Sequence, residues 1–231
     1  MQRWTRAWAL RGLAAATMLG RPAGETDAAA AVPNAGRDTP QSSLARLIEG
    51  NARYARDAAV NCNKNYHRRA EVLAAQSPFA VVLGCSDSRV PPEVIFDQRL
   101  GDLFVVRLAG NVADDLALGS IEYAVEHFQP ALVLILGHER CGAVSATLET
   151  LAAGSQPAGF TASIITKIMP AARRARRDAG NELHDAVREN VVDVVAHVRA
   201  QSALTAAAER RGALRIAGAT YSLGDGRVTF V

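Results

Sequence analysis

Phe79-Ala80-Val81-Val82-Leu83-Gly84-Cys85-Ser86-Asp87-Ser88-Arg89 is a short apolar run that stops at a glycine and runs into a cysteine and a charged turn. Four to eight apolar residues bounded by turn residues read as a strand buried on both faces, the kind a parallel sheet uses. Leu103 to Leu108 and Ala131 to Leu136 are two more such runs. Between them, Asp114 to Phe128 has helical periodicity, with Leu116, Ile121, Val125 and Phe128 able to share a broad face. Strands alternating with helices predict an α/β fold, a central and mostly parallel β-sheet flanked by helices.

Working outward, Leu44, Leu47 and Ile48 recur at helical spacing behind Ser42 or Ser43 as a cap, which predicts an N-terminal helical arm ending near Asp57. A second helix is expected from His67 to Ala75. Further helices are expected from Gly142 to about Ala153, within residues 160 to 179, and from Glu182 to Ala208. Leu214 to Ala219 and Arg227 to Val231, joined by Gly224-Asp225-Gly226, read as a C-terminal strand pair. No internal repeat is evident, so residues 41 to 231 form one expected catalytic domain.

The 231 residues suit one domain plus an extension. Aromatics make up only 5%, so the core must be built mainly of Ala, Val, Leu and Ile. Within the net charge of +3, the first 35 residues carry Arg3, Arg6, Arg11 and Arg21 against Glu25 and Asp27. The remainder is nearly neutral, which removes the electrostatic case for a nucleic-acid partner. The Arg173-Arg174-Ala175-Arg176-Arg177 run has no interleaved aromatics and reads as a solvated helix face. Residues 1 to 40 read as a signal peptide and linker, or as an irregular extension. Arg3, Arg6 and Arg11 precede the apolar Gly12 to Leu19, and Ala28-Ala29-Ala30 offers a small-residue cleavage site. Export to the periplasm or outside the cell follows from the first reading and a cytoplasmic address from the second. No run approaches the roughly 20 apolar residues that span a bilayer.

Three cysteines cannot all pair with one another, so a disulfide framework is not expected. Cys62 stands alone in a polar stretch and reads as a bystander thiol. Cys85 follows the first strand, while His138 and Cys141 follow the third. Ligands in open parallel sheets gather outside the carboxyl ends of the strands, where these residues meet if the two strands are neighbours. Two thiolates and one imidazole suit Zn²⁺, and three protein ligands leave the fourth position of a catalytic site open. His-x-x-Cys taken alone is a weak signal, and a catalytic Cys–His pair is an alternative that leaves one cysteine without a role. Asp87 and Arg89 lie two residues apart, where a guanidinium can hold a carboxylate by two hydrogen bonds. Held ionised, Asp87 only accepts hydrogen bonds and can take the proton of a hydroxide beside it. The plain alternative is a surface ion pair worth little.

Cys85-Ser86-Asp87-Ser88-Arg89 followed by Gly137-His138-Glu139-Arg140-Cys141-Gly142 resembles the two zinc motifs of β-class carbonic anhydrases. The resemblance runs from about Leu44 to Val231 and includes Val90-Pro91-Pro92-Glu93, Gly101-Asp102-Leu103-Phe104, Ala109-Gly110-Asn111 and Gly218-Ala219-Thr220-Tyr221. It implies one Zn²⁺ per chain on Cys85, His138 and Cys141, with Asp87 and Arg89 as catalytic dyad. It implies reversible hydration of carbon dioxide to bicarbonate, in which zinc-bound hydroxide, oriented by the dyad, attacks the substrate.

By the same resemblance Gln76, Phe104, Ala109, Tyr123 and Gly142 contact substrate in the plant-like branch of the family, although Phe104 and Tyr123 could equally be core residues. Arg107 and Tyr221 match two of three residues of a non-catalytic bicarbonate site found in some members. Val82 stands where that site has tryptophan, so the open form of the zinc site is expected. Family members form homodimers, often paired into tetramers, with the cleft at the subunit interface. Hydrolysis of a carbon dioxide analogue would need a remodelled substrate access. A non-catalytic binding module would be expected to lack Asp87 or Arg89, and a thiol redox protein would need a Cys-x-x-Cys.

Overall fold

Parallel pairing of three apolar strands organises the computed structural model, which describes residues 38–60, 66–176 and 181–231. The signal-like segment and Cys62 lie outside those residues. The elements are α1 (Pro40–Tyr54), α2 (Tyr66–Glu71), β1 (Ala80–Gly84), α3 (Pro92–Ile95), β2 (Leu103–Arg107), a 3₁₀ turn (Ala109–Asn111), α4 (Asp115–His127), β3 (Leu132–His138), α5 (Gly142–Ala153), α6 (Thr161–Ala175), α7 (Glu182–Gln201), α8 (Ala203–Arg210), β4 (Arg215–Tyr221) and β5 (Val228–Phe230). The sheet order is β2-β1-β3-β4-β5, with only β5 antiparallel to its neighbour.

Side chains of a strand alternate between the two faces of its sheet, and both faces here are covered. Val81, Leu83, Val133 and Ile135 pack with Ile121, Val125, Val191 and Val198 of α4 and α7. Val82, Leu132, Leu134 and Leu136 point the other way, against Leu47 of α1, Ile95 of α3 and Phe96. This is why β1 and β3 read as unbroken apolar runs. Each such side chain withdrawn from water contributes roughly 1.5–3 kcal/mol.

Several boundaries differ from the sequence expectation, each for a local reason. The cap of α1 is Thr39 rather than Ser42 or Ser43; its hydroxyl accepts from Ser42 N–H, while Ser42 Oγ accepts from Thr39 N–H, with Pro40 opening the helix. α2 stops at Glu71, short of Ala75, and buries none of its residues, so nothing extends it. In α4 the buried positions are Ala117, Ile121, Ala124 and Val125, whereas Leu116 is 81% exposed and lies off the stripe. The single helix expected from Glu182 to Ala208 is two helices. Ser202 takes extended torsions (φ −95°, ψ 96°), accepts from Thr205 N–H and donates to Glu122, capping a new helix instead of continuing the old one. In the basic run, Arg173 and Arg176 are exposed as expected, but Arg174 reaches α7 to pair with Glu189 and Asp193.

Beyond the three residues that pair with β5, the outer edge of β4 is protected by side chains. Glu209 accepts from Ile216 N–H at 3.0 Å and Arg199 donates to Ile216 O at 2.8 Å, while the two side chains pair with each other. Among the described residues no helix is long and apolar enough to cross a membrane.

Candidate metal centre

The parallel register sets Gly84 of β1 beside Leu136 of β3, so the residues leaving both strands emerge together. Cys85 is the first residue beyond β1, His138 ends β3, and Cys141 caps α5. Arg140 adopts the left-handed φ of 52° that lets the chain double back between His138 and Cys141. The ligand atoms of Cys85, His138 and Cys141 all lie within 4.8 Å of one another, and their residues are 5%, 0% and 1% exposed.

Hydrogen bonding prepares each of these atoms. His138 Nδ1 lies 2.8 Å from Glu139 O. A carbonyl only accepts, so Nδ1 carries the proton and, in the neutral ring, Nε2 keeps its lone pair. That Nε2 is buried and has no hydrogen-bond partner. Cys85 Sγ accepts from Gly110 N–H at 3.3 Å and from Asp87 N–H at 3.4 Å. The adjacent Cys141 thiol, then His138 and these two N–H groups, outweigh burial and hold the Cys85 thiol well below the usual thiol range. Cys141 is pushed up by its hydrogen bond to Cys85 and by burial, because two adjacent thiolates need a cation between them. Two clustered thiols and an orphaned imidazole nitrogen fit a soft or borderline divalent metal.

Asp87 is held by Arg89 at three points: Oδ1 accepts from Arg89 N–H at 2.9 Å and from Nε at 2.9 Å, and Oδ2 accepts from Nη2 at 2.8 Å. The guanidinium first, and then the backbone N–H, holds the Asp87 carboxyl well below the usual carboxylate range. Each carboxylate oxygen has two lone pairs. Oδ1 uses both; Oδ2 uses one, and Oδ2 lies 3.9 Å from His138 Nε2, too far for a hydrogen bond.

The Asp87 loop is braced by Arg107, which donates to Cys85 O at 2.9 Å and to Asp87 O. The other loop is latched by its own Glu139, whose Oε2 accepts from Ser222 Oγ and Leu223 N–H, both at 3.1 Å. Neither bracing role is legible in sequence, where Arg107 stands only in the resemblance to a bicarbonate site. Tyr221, the other residue of that match, is buried and shares a 3.2 Å hydrogen bond with Tyr54.

Of the expected substrate contacts, Ala109 and Gly142 sit at the centre, one beside the Gly110 N–H and the other opening α5 behind Cys141. The remaining three do not gather there within one chain. Gln76 is exposed before the amino end of β1, whereas Cys85 leaves its carboxyl end. Phe104 is partly buried on β2, 6.3 Å between ring centres from Tyr123, which is 48% exposed on α4.

The fold and the site together define an α/β protein with a Cys85–His138–Cys141 group that could hold a metal ion at the carboxyl ends of parallel strands. The carbonic anhydrase family model matches residues 80–228. The carbonic anhydrase of Mycolicibacterium smegmatis is 41% identical over 189 residues, 82% of this chain and 92% of that protein. Carbonic anhydrase 2 of Mycobacterium tuberculosis is 40% identical over 188 residues, 81% of this chain and 91% of that one. Among solved structures, the Coccomyxa β-carbonic anhydrase in complex with acetazolamide superposes with a TM-score of 0.63 at 30% identity, covering 81% of this chain and 86% of its own. The chain belongs to the carbonic anhydrase family, in its β class, and is an enzyme of the carbonate dehydratase kind.

Proposed function

We propose that this enzyme interconverts carbon dioxide and bicarbonate using one Zn²⁺ per chain, held by Cys85, His138 and Cys141. The observation that carries the reading is the unused lone pair of Asp87 Oδ2, 3.9 Å from the free His138 Nε2. Zinc in such a donor set acts as a Lewis acid and brings the pKa of the water it holds toward ~7.

The protein's own contribution is orientation. Asp87, kept ionised by Arg89, is acceptor-only, so the free lone pair of Oδ2 would accept a hydrogen bond from the reacting oxygen and so turn that oxygen's own lone pair toward the substrate carbon. Because Arg89 occupies the other acceptor positions, Asp87 would be kept off a metal held by Cys85, His138 and Cys141, the open form of the site. Gly142 N–H, at the amino end of α5, is placed to face a substrate oxygen, and Ala109 offers an apolar wall.

We infer that Gln76, Phe104 and Tyr123 serve the cleft across a subunit interface, in a homodimer or homotetramer. β2 is an edge strand with Phe104, Val105 and Val106 only partly buried, and Leu116 and Tyr123 are exposed on the adjoining α4. A Sordaria macrospora structure of the same fold, with TM-score 0.63 at 23% identity, is of a tetrameric β-carbonic anhydrase.

Stopped-flow hydration of carbon dioxide by the zinc-loaded protein tests the activity, and inactivity at pH 8 would end this reading. Wild type should carry one zinc per chain, and Cys141→Ala should lose both zinc and turnover. A Cys141→Ala protein that kept its metal would remove Cys141 from the ligand set.

A further inference from the structure

Asn190 stands out on α7 because its neighbours on the buried face are Val187, Val191 and Val194, while it is itself only 2% exposed. An amide among valines is costly unless it is hydrogen-bonded. Its Nδ2 donates to Gly110 O at 2.9 Å, from 80 residues away in sequence. Gly110 is also the residue whose N–H reaches Cys85 Sγ at 3.3 Å. We propose that Asn190 is a positioning residue for the metal centre: by anchoring the Gly110 carbonyl it fixes the hydrogen bond received by the Cys85 sulfur.

Why an anchor is needed follows from the glycine. Gly110 adopts φ 69°, ψ 22°, a left-handed conformation. A side chain there would also collide, since an added Cβ would fall 2.6 Å from Ile168 Cδ1 and 3.1 Å from Ala143 Cβ. The position therefore demands glycine, the residue with the least torsional preference of its own. Without Asn190, the peptide that carries this carbonyl keeps only the 2.9 Å bond from Asn111 N–H to Leu108 O, and the Gly110 N–H is less firmly aimed at the sulfur. A hydrogen bond to a ligand thiolate draws off charge and sets the donor strength of the sulfur. Nothing in the valine pattern of α7 requires an amide for packing, so the polar side chain serves the turn it holds.

The proposal rests on Cys85 being a metal ligand, and metal binding read beside amide exchange separates the two ideas. Asn190→Leu keeps the bulk and removes the donor. In the full chain it should weaken zinc, measured by chelator competition, by about 10-fold. In the metal-free protein it should speed amide exchange in the peptide containing Gly110. Substituting cobalt for zinc should show a shifted thiolate-to-metal absorption band in Asn190→Leu. The control is Ser202→Ala at the far end of α7, 1% exposed and also hydrogen-bonded. It should lower the melting temperature and leave zinc affinity and the cobalt band alone.

Unchanged affinity and unchanged Gly110 exchange in Asn190→Leu would overturn the proposal. So would an equal affinity loss in Ser202→Ala, which would mean general destabilisation. If wild type itself bound no zinc, the ligand assignment would fail, and the exchange measurement would still decide whether Asn190 holds the turn. Should Asn190→Leu not fold, Asn190→Ala goes through the same measurements with the same criteria.

Discussion

Two aspartates near opposite ends of the sheet each sit within three residues of an arginine, and they are used in opposite ways. Asp102, just before β2, is ringed by three guanidiniums: Arg68 Nη2 at 2.9 Å, Arg99 Nε at 3.3 Å and Arg46 Nη2 at 3.6 Å, with Arg99 N–H adding 3.1 Å. Its side chain is 8% exposed, and the ring draws α1 and α2 onto the strand ends. Asp87, just after β1, has one arginine, itself 53% exposed, stays 17% exposed, and keeps Oδ2 3.9 Å from His138 Nε2. A carboxylate whose acceptor positions are filled from several elements is a fastener. One whose partner comes from its own turn, leaving a lone pair aimed at a ligand atom, is available for chemistry.

The largest expected effect comes from breaking the available one. Asp87→Asn keeps the shape but presents an amide where only acceptors served, and should lower kcat/KM for hydration by about 10²–10³-fold. Zinc content should be retained. Full activity in the zinc-loaded variant would mean that the free lone pair has no role. Next in size is Asp102→Asn, which removes the charge that three guanidiniums share at a buried carboxylate and should cost about 1–3 kcal/mol of stability. A melting temperature several degrees lower, with turnover per folded zinc site unchanged, is the expected result. Loss of turnover at intact zinc content would erase the contrast between the two ends.

The same contrast explains what could be read from sequence. The parallel sheet and the Cys85–His138–Cys141 cluster were legible because each follows from a local signal, an apolar run or a residue at a strand end. The register of β1 and β3 then leaves little freedom in where those ends meet. The break at Ser202 was hidden because serine is tolerated in a helix, and only the partner Glu122, 80 residues distant, makes capping the better use of its hydroxyl. Leu116 was assigned inward because the stripe was read from large side chains, whereas Ala117 and Ala124 are what α4 buries. Asp102 lay within a family motif and Arg99 is its neighbour in the chain, yet Arg46 and Arg68 come from α1 and α2, and no spacing rule brings those to it. Gln76, Phe104 and Tyr123 were carried by resemblance alone, and a single chain gives them no common site.

The smallest expected effect concerns acid, and it separates a held Asp87 from a freely titrating one. Arg89 depresses the Asp87 carboxyl in the folded protein. A depressed carboxylate contributes its stability in full above the unfolded value of ~3.9 and loses it only as pH falls through the lower folded value. The pair is largely solvent-screened, so its contribution is small. Denaturant unfolding of the metal-free wild type and Asp87→Asn should therefore differ by a constant amount between pH 7 and pH 5. The difference should begin to shrink only below pH ~5, where the unfolded carboxyl starts to protonate. A difference already closing between pH 7 and pH 5 would mean that Asp87 takes up its proton there. Arg89 would then not be holding the carboxylate ionised, and the acceptor-only role of Oδ2 would go with it.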